Sequence, residues 1–240
     1  GLETNAEIAM SNGDILQFNA ELPGAQLLGL DYTLQPLRAD AQLTAHDLGL
    51  IEALIPEIQD LRGQIALDLK ASGTLARPNI KGSVKLIDGS LRIPRLGLTI
   101  DQLNLLSQNN NTENINFQLK ARSGEGNIVV EGKTTLDRNR GWPTQFLIKG
   151  NAFEVSRIPE AQVLVSPDLE VTVQRRNVSI TGGVHIPYAR LQPKDITTAA
   201  RVSEDAIILG DELTPIEKWA VTSNIRLTLG DRVNFYGFGF

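Results

Sequence analysis

Residues able to do chemistry are few in this chain, and their spacing is poor for catalysis. Two histidines, His46 and His185, are the whole imidazole complement, and there is no cysteine. A general base or a metal site needs such groups brought together. His185 alternates outward between Val184 and Ile186, and His46 adjoins a predicted helix start, so both read as surface residues. Asp168 and Glu170 share one parity. Paired carboxylates can cleave a glycosidic bond, but acidic residues at alternate positions are also what a solvated strand face presents. Gly124-Glu125-Gly126 suits a turn and lacks the strand–helix context of a phosphate loop. The chain therefore reads as a non-enzyme with no cofactor and no metal.

Composition narrows the classes further. Of 240 residues, 41% are hydrophobic but only 5% aromatic, so the apolar surface is aliphatic with few stacking platforms. The net charge of −5 with scattered Lys and Arg argues against a nucleic-acid surface. No run approaches the ~18–20 apolar residues of a bilayer-spanning helix. The chain opens Gly1-Leu2-Glu3 and ends inside a strand-like pattern at Tyr236–Phe240. It is read as a piece of something longer, lacking any membrane anchor.

The elements are strands. From Val163 to Ile186, apolar residues fall on odd positions up to Val173 and on even positions from Val178, with polar residues on the other parity. Side chains of a strand alternate faces, so a hairpin pairing Val173 with Val178, Val171 with Ile180 and Leu169 with Gly182 puts every apolar residue on one face. A slip of one residue would scatter them. The turn falls within Gln174–Asn177, with Asn177 expected at positive φ. A similar hairpin turns at Asn12-Gly13. Further strands are predicted over Leu28–Leu34, Leu37–Leu43, Ala206–Leu209 and Val221–Leu229, with another opening at Val233 and Phe235. One short helix is expected between Asp47, as its cap, and Pro56, acting as a connector or as a plug across one end of the sheet. A turn is read at Asp88-Gly89. The parity shift between Ile100 and Leu103 predicts a β-bulge.

The predicted fold class is all-β: a long curved antiparallel sheet with one short helix. Its greasy face could be covered in a sandwich, inside a barrel, or folded into an open trough with a hydrophobic interior. The predicted lining is Ile65, Leu67 and Leu69; Val84, Leu86, Leu91 and Ile93; Leu98, Ile100, Leu103 and Leu105; Ile115, Phe117 and Leu119; Ile128, Val130 and Leu136; Phe146 and Ile148; Val163, Val165, Leu169, Val171 and Val173; Val178, Ile180, Val184 and Ile186.

Several segments carry a family resemblance. They are Gly73-Thr74-Leu75-Ala76-Arg77-Pro78 with Leu86–Pro94, Ala161–Leu169, Gly183–Leu191, Val202–Ile208 and Phe235–Gly239. In this order and spacing the chain resembles the TamB family of bacterial envelope proteins. The resemblance implies one continuous elongated unit over 1–240, with leading hairpins over 1–45 and the family-like region over 46–240. It implies an open trough in the style of bridge-like lipid transfer proteins, lying in the periplasm. The full-length protein would be anchored in the inner membrane by an N-terminal segment absent here. It also implies phospholipid acyl chains as cargo and an outer-membrane barrel of the Omp85 type as partner through the full-length protein. Outer-membrane protein clients are further partners it implies.

The residues alone agree with that cargo. Exposing an acyl chain to water costs ~0.8 kcal/mol per methylene, on the order of 12 kcal/mol for about 16 carbons. An aliphatic groove removes most of that cost without fixed polar contacts. Two other readings stay open: a chaperone-like module that pairs a sheet edge with strands of client proteins, and a passive structural span.

Overall fold

The computed structural model describes residues 2–9, 14–22, 35–74, 78–109, 113–137, 139–192 and 219–237. Its strands are β1 (Leu2–Ala9), β2 (Ile15–Leu22), β3 (Arg38–Ala45), β4 (Gln59–Gly73), β5 (Pro78–Ile93), β6 (Leu98–Asn109), β7 (Asn114–Ser123), β8 (Gly126–Thr135), β9 (Thr144–Asn151), β10 (Phe153–Ile158), β11 (Ala161–Gln174), β12 (Asn177–Leu191) and β13 (Ala220–Phe235). A helix α1 (Gly49–Leu54) joins β3 to β4, and a 3-10 turn, Pro94–Leu96, joins β5 to β6. All thirteen strands belong to one open sheet that follows sequence order from β1 to β13, with β10 off the path and paired to β11. Among the described residues neither a sandwich nor a barrel forms: they make an all-β, unclosed sheet, consistent with a curved trough.

The hairpin of β11 and β12 has the register expected from parity. Val173 faces Val178, Val171 faces Ile180 and Leu169 faces Gly182. Its turn corrects one expectation. Asn177 is already in β12 opposite Gln174, and Arg175 takes the positive φ, 54°. A loop of only two residues demands left-handed backbone within the loop itself. The helix is corrected as well: Leu48 is the N-cap residue and makes no capping side-chain bond. The Asp47 carboxylate instead accepts from Gly49 N–H at 3.0 Å, tightening the turn before the helix. Leu48 is buried while Leu54 and Ile55 are exposed, so α1 acts as a connector pinned at its start. The Glu52 carboxylate accepts from Leu61 N–H of β4 at 3.1 Å.

Two further corrections concern strand ends. Asp88-Gly89 is no turn: β5 runs through it, with Asp88 at φ 50° and a register shift against β6. The sheet is not antiparallel throughout, because β13 pairs in parallel with β12, and Val233 and Phe235 continue that one strand. A parallel neighbour needs a long crossover, and the connection from Leu191 to Ala220 is long enough to provide one. The predicted turn at Asn12-Gly13 and the predicted strands over Leu28–Leu34 and Ala206–Leu209 lie outside the described residues.

The bulge predicted in β6 is present. Gln102 has φ 50°, and the register shifts against both β5 and β7 there. It is one of a series. Similar irregularities interrupt β4 near Asp60 and Arg62, β11 between Leu164 and Ser166, and β12 between Ile186 and Tyr188. Bulges bend a strand and raise its local twist, so a line of them makes a crease across the sheet. They also flip parity. Ile100 gives way to Leu103 and Ile186 to Ala189, so apolar residues stay on one face on both sides of the crease. At the same line the chain turns a corner at Ala152, φ 46°, held by Ala152 N–H donating to Ser166 Oγ at 2.9 Å. β9 and β10 thereby pair with different halves of β11. β10 then meets the 3-10 turn, where Gly97 (φ 65°) leaves no room for a Cβ, which would lie 2.2 Å from the Arg157 carbonyl oxygen.

Near α1, Asp14 is buried and accepts from His46 N–H at 2.7 Å and Asp47 N–H at 3.1 Å, with His46 Nδ1 at 2.9 Å from its other oxygen. The His46 side-chain bond, then the two backbone donors, hold the Asp14 carboxyl below its ordinary value. A depressed carboxylate stabilises the fold above the unfolded pKa, and this is lost as pH falls through the folded one. Asp14→Asn should therefore lower the thermal midpoint at neutral pH. The gap from wild type should close as both are titrated below the carboxylate range. A gap independent of pH would mean that the charge of Asp14 contributes nothing.

Candidate functional site

The register assembles the predicted lining into rows that cross the strands. One runs Ile65, Leu86, Leu105, Leu119, Val130, Ile148, Leu169, each directly opposite the next on β4, β5, β6, β7, β8, β9 and β11. At ~4.8 Å per strand the row spans ~29 Å. One acyl chain within a leaflet occupies about half of a ~30 Å hydrocarbon core, so the row is longer than the cargo proposed for it. A second row runs Leu67, Val84, Ser107, Phe117, Gly132, Phe146, Val171, Ile180. A third closes the turn end of the sheet through Thr134, Thr144, Val173, Val178 and Val221, with Ile115 opposite Thr134. Leu69 faces Gly82, and Val184 and Ile186 face Leu227 and Leu229 of β13. Leu136 follows the end of β8, its N–H donating to the Glu113 carbonyl.

Burial divides the set. Leu98 and Ile100 are buried at 5% and 8% exposure, while the other predicted lining residues are half-buried. A sealed core would hide most of them. Among the described residues the buried cluster lies at the crease, where Ile100, Ala121 and Phe153 meet. Leu91, Ile93, Leu103, Leu119, Ile128 and Val155 pack against it. Val165 lies opposite Phe153 and Val163 opposite Ser156, extending the lining onto β10 and β11. Phe153 and Val155 were not anticipated as lining. The corner at Ala152 brings them in, and strand alternation carries no sign of a corner.

An aromatic pair interrupts the aliphatic surface. Phe117 and Phe146 meet edge to face with centroids 5.4 Å apart, on either side of Gly132. The Phe117 ring occupies the space of a Cβ at Gly132, whose nearest ring atom would be 1.9 Å away. Gly132→Ala should therefore destabilise by about 1–3 kcal/mol through overpacking, against a strand-propensity gain of only about 0.5–1 kcal/mol. Urea unfolding would show the sign; a raised midpoint would mean that the ring moves aside freely.

The opposite face is polar, and its groups answer one another across strands. Gln145 donates to Glu170 at 2.6 Å, Gln118 to Glu131 at 2.9 Å, and Lys149 lies 4.0 Å from Asp168. Asp168 and Glu170 thus each face a partner on β9. His185 is exposed, with Nδ1 3.1 Å from Thr228 Oγ1. Open clefts of about 580 Å³ lie on this face, one beside Asp14, His46, Asp68 and Lys85, another beside Lys149, Asp168 and His185. Among the described residues no three His, Asp or Glu side chains come together as a metal site. No helix among them is long and apolar enough to cross a membrane.

A family model described as the TamB C-terminal domain matches residues 113–240. The translocation and assembly module subunit TamB of Haemophilus influenzae is 22% identical over 207 residues, covering 80% of this chain and 16% of that protein. The chain therefore spans well under a third of that curated relative's length. No solved structure matches it.

Proposed function

The chain belongs to the TamB C-terminal domain family, and from that premise we propose that its apolar face is a periplasmic groove that shields phospholipid acyl chains and passes them along the sheet towards the outer membrane. The observation that carries this reading is the half-burial of one continuous aliphatic row, Ile65 to Leu169, across neighbouring strands. Such a row is accessible enough to receive a chain and apolar enough to replace its hydrocarbon surroundings. No charged residue interrupts the row from Ile65 to Leu169. A chain moving along it trades one methylene-sized contact for another at nearly constant free energy, so sliding has a low barrier. The relative is named as a subunit of a translocation and assembly module. In the full-length protein, an inner-membrane anchor at one end and an Omp85-type barrel at the other would make the groove a path across the periplasm and would tie it to outer-membrane protein assembly.

One observation favours a second reading. β13 is a sixteen-residue strand at the end of the sheet, with Val221, Leu227 and Leu229 each more than 60% exposed. A long apolar edge is a template for another strand, which suits a module binding client strands.

An environment-sensitive fatty-acid probe separates the two. It should bind with little head-group preference, be displaced by phospholipids of differing head group, and match acyl lipids found by native mass spectrometry of gently purified protein. Absence of probe binding, together with backbone cross-links from β13 to client strands, would replace the groove with the edge.

A further inference from the structure

Both tryptophans of the chain, Trp142 and Trp219, fall at one place in the fold, on loops that also carry three arginines. Three loops meet at the turn end of β8, β9, β11, β12 and β13. Arg175 N–H donates to the Gly141 carbonyl at 3.3 Å, and Ala220 N–H donates to the Arg176 carbonyl at 2.9 Å. The segment 139–143, the turn Arg175-Arg176 and Trp219-Ala220 therefore form one hydrogen-bonded lip. Trp142 is 39% and Trp219 61% exposed. Arg140, Arg175 and Arg176 are exposed beside them. Arg175 also braces the lip, its Nη2 donating to the Asn139 carbonyl at 3.0 Å. Asp137, an acidic residue of the same segment, is half-buried and accepts from Asn139 and Arg140 N–H at 2.9 and 3.2 Å.

We propose that this lip docks on a bilayer surface bearing anionic lipid headgroups. Exposed tryptophan is costly in water and favourable at the headgroup level, where an apolar ring and a polar N–H are both accommodated. Arginine beside it pairs with phosphate oxygens in a forked geometry. The chain as a whole carries −5 and is repelled by such a surface, so attraction has to come from a local cluster, and the lip supplies one. Just inside the lip, Val173, Val178 and Val221 begin the apolar rows. An acyl chain leaving a bilayer held against Trp142 and Trp219 would meet hydrocarbon within two residues of the surface. This inference rests on the lipid-groove reading and adds where the groove meets its lipid source. A glycan is the other ligand that exposed tryptophans suit, and the polar cleft of about 710 Å³ beside Gln145, Thr172 and Ser179 adjoins the lip. A neutral glycan gains nothing from three arginines, which is why the bilayer is preferred.

The test is flotation of the whole chain with phosphatidylcholine vesicles, with and without phosphatidylglycerol. Binding should need the anionic lipid, weaken as salt is raised, and blue-shift tryptophan emission. Arg140→Gln with Arg176→Gln should weaken it about twenty-five-fold, at about five-fold per charge. Trp142→Ala with Trp219→Ala should weaken it too, with the thermal transition unchanged in both pairs. Equal binding to pure phosphatidylcholine, unchanged binding of the arginine pair, competition by soluble glycerophosphate, or capture of a soluble oligosaccharide without vesicles would each overturn it. Vesicle binding without fatty-acid probe binding would sustain the docking and remove the groove; probe binding without vesicle binding would do the reverse.

Discussion

Phe153→Ala should cost about 3–5 kcal/mol and loosen β10 where it packs over the crease. Domains are stable by only about 5–15 kcal/mol, so the loss would be a large share of the whole. The physical reason is the shortage of alternatives. Among the described residues the buried apolar side chains are Ala45, Leu48, Leu98, Ile100, Ala121, Phe153, Pro167 and Ala189. Of these Phe153 is the largest, and it fills the crease against Ile100 and Ala121. Among the described residues little beyond β10 itself packs over the crease, so few neighbours can relax into the void and the cavity penalty applies nearly in full. The same truncation at Leu227, about two-thirds exposed on β13, should cost under about 1 kcal/mol, because little surface is removed from water. Hydrogen exchange would locate the effect: protection should fall first over 153–158 and around Gly97, which β10 covers. A change at Phe153 as small as that at Leu227 would mean that backbone pairing alone holds the corner.

This distribution of burial explains which features were legible in the sequence. Registry was, wherever long alternation met a short turn: Val171 opposite Ile180 follows from parity alone, because any slip exposes a whole apolar row. The bulge at Gln102 was legible for the same reason, since Ile100 and Leu103 cannot share a face without one. The shift at Asp88 carried the same signal but was read as a turn, because Asp-Gly favours both. Three features left no local trace. Asp14 and His46 are 32 residues apart, and nothing near either names the other. The direction of β13 depends on its crossover rather than on which side chains face inward. The corner at Ala152 occurs at a residue with no turn preference of its own. The candidate groove was legible as a face. Its division into a sealed crease and open rows was not, because alternation places residues on a face without saying what lies opposite.

That division sharpens the largest functional prediction. Val171→Arg and Ile180→Arg should leave the fold intact and disable transport. Both positions are half-buried and pair with each other in the second row, Val171 also facing Phe146. In a sealed core a new charge there would be buried without a partner, at a cost of several kcal/mol. In an open groove the guanidinium can stay hydrated while its methylene stem packs along the lining, and the thermal midpoint should barely move. Leu119 is different, because it packs against the buried cluster at the crease; Leu119→Arg should unfold or strongly destabilise the chain. The contrast between Leu119 and Val171 is therefore the signature of a groove sealed only at its crease. A sliding acyl chain meets the hydrated charge at every passage. If about four methylenes lose their cover as they pass, the barrier rises by about 3 kcal/mol, slowing transfer about a hundred-fold. Thr172→Arg is the control: Thr172 is exposed on the polar face opposite Gln145 and Ser179, and a charge there should alter neither stability nor transfer. Lipid transfer between vesicles, complementation of envelope function in cells and a thermal melt give the three readouts. Loss of the cooperative transition at Val171 as at Leu119 would show a sealed core throughout. Normal melting with full transfer and full complementation would leave the rows intact but remove lipid conduction as their purpose.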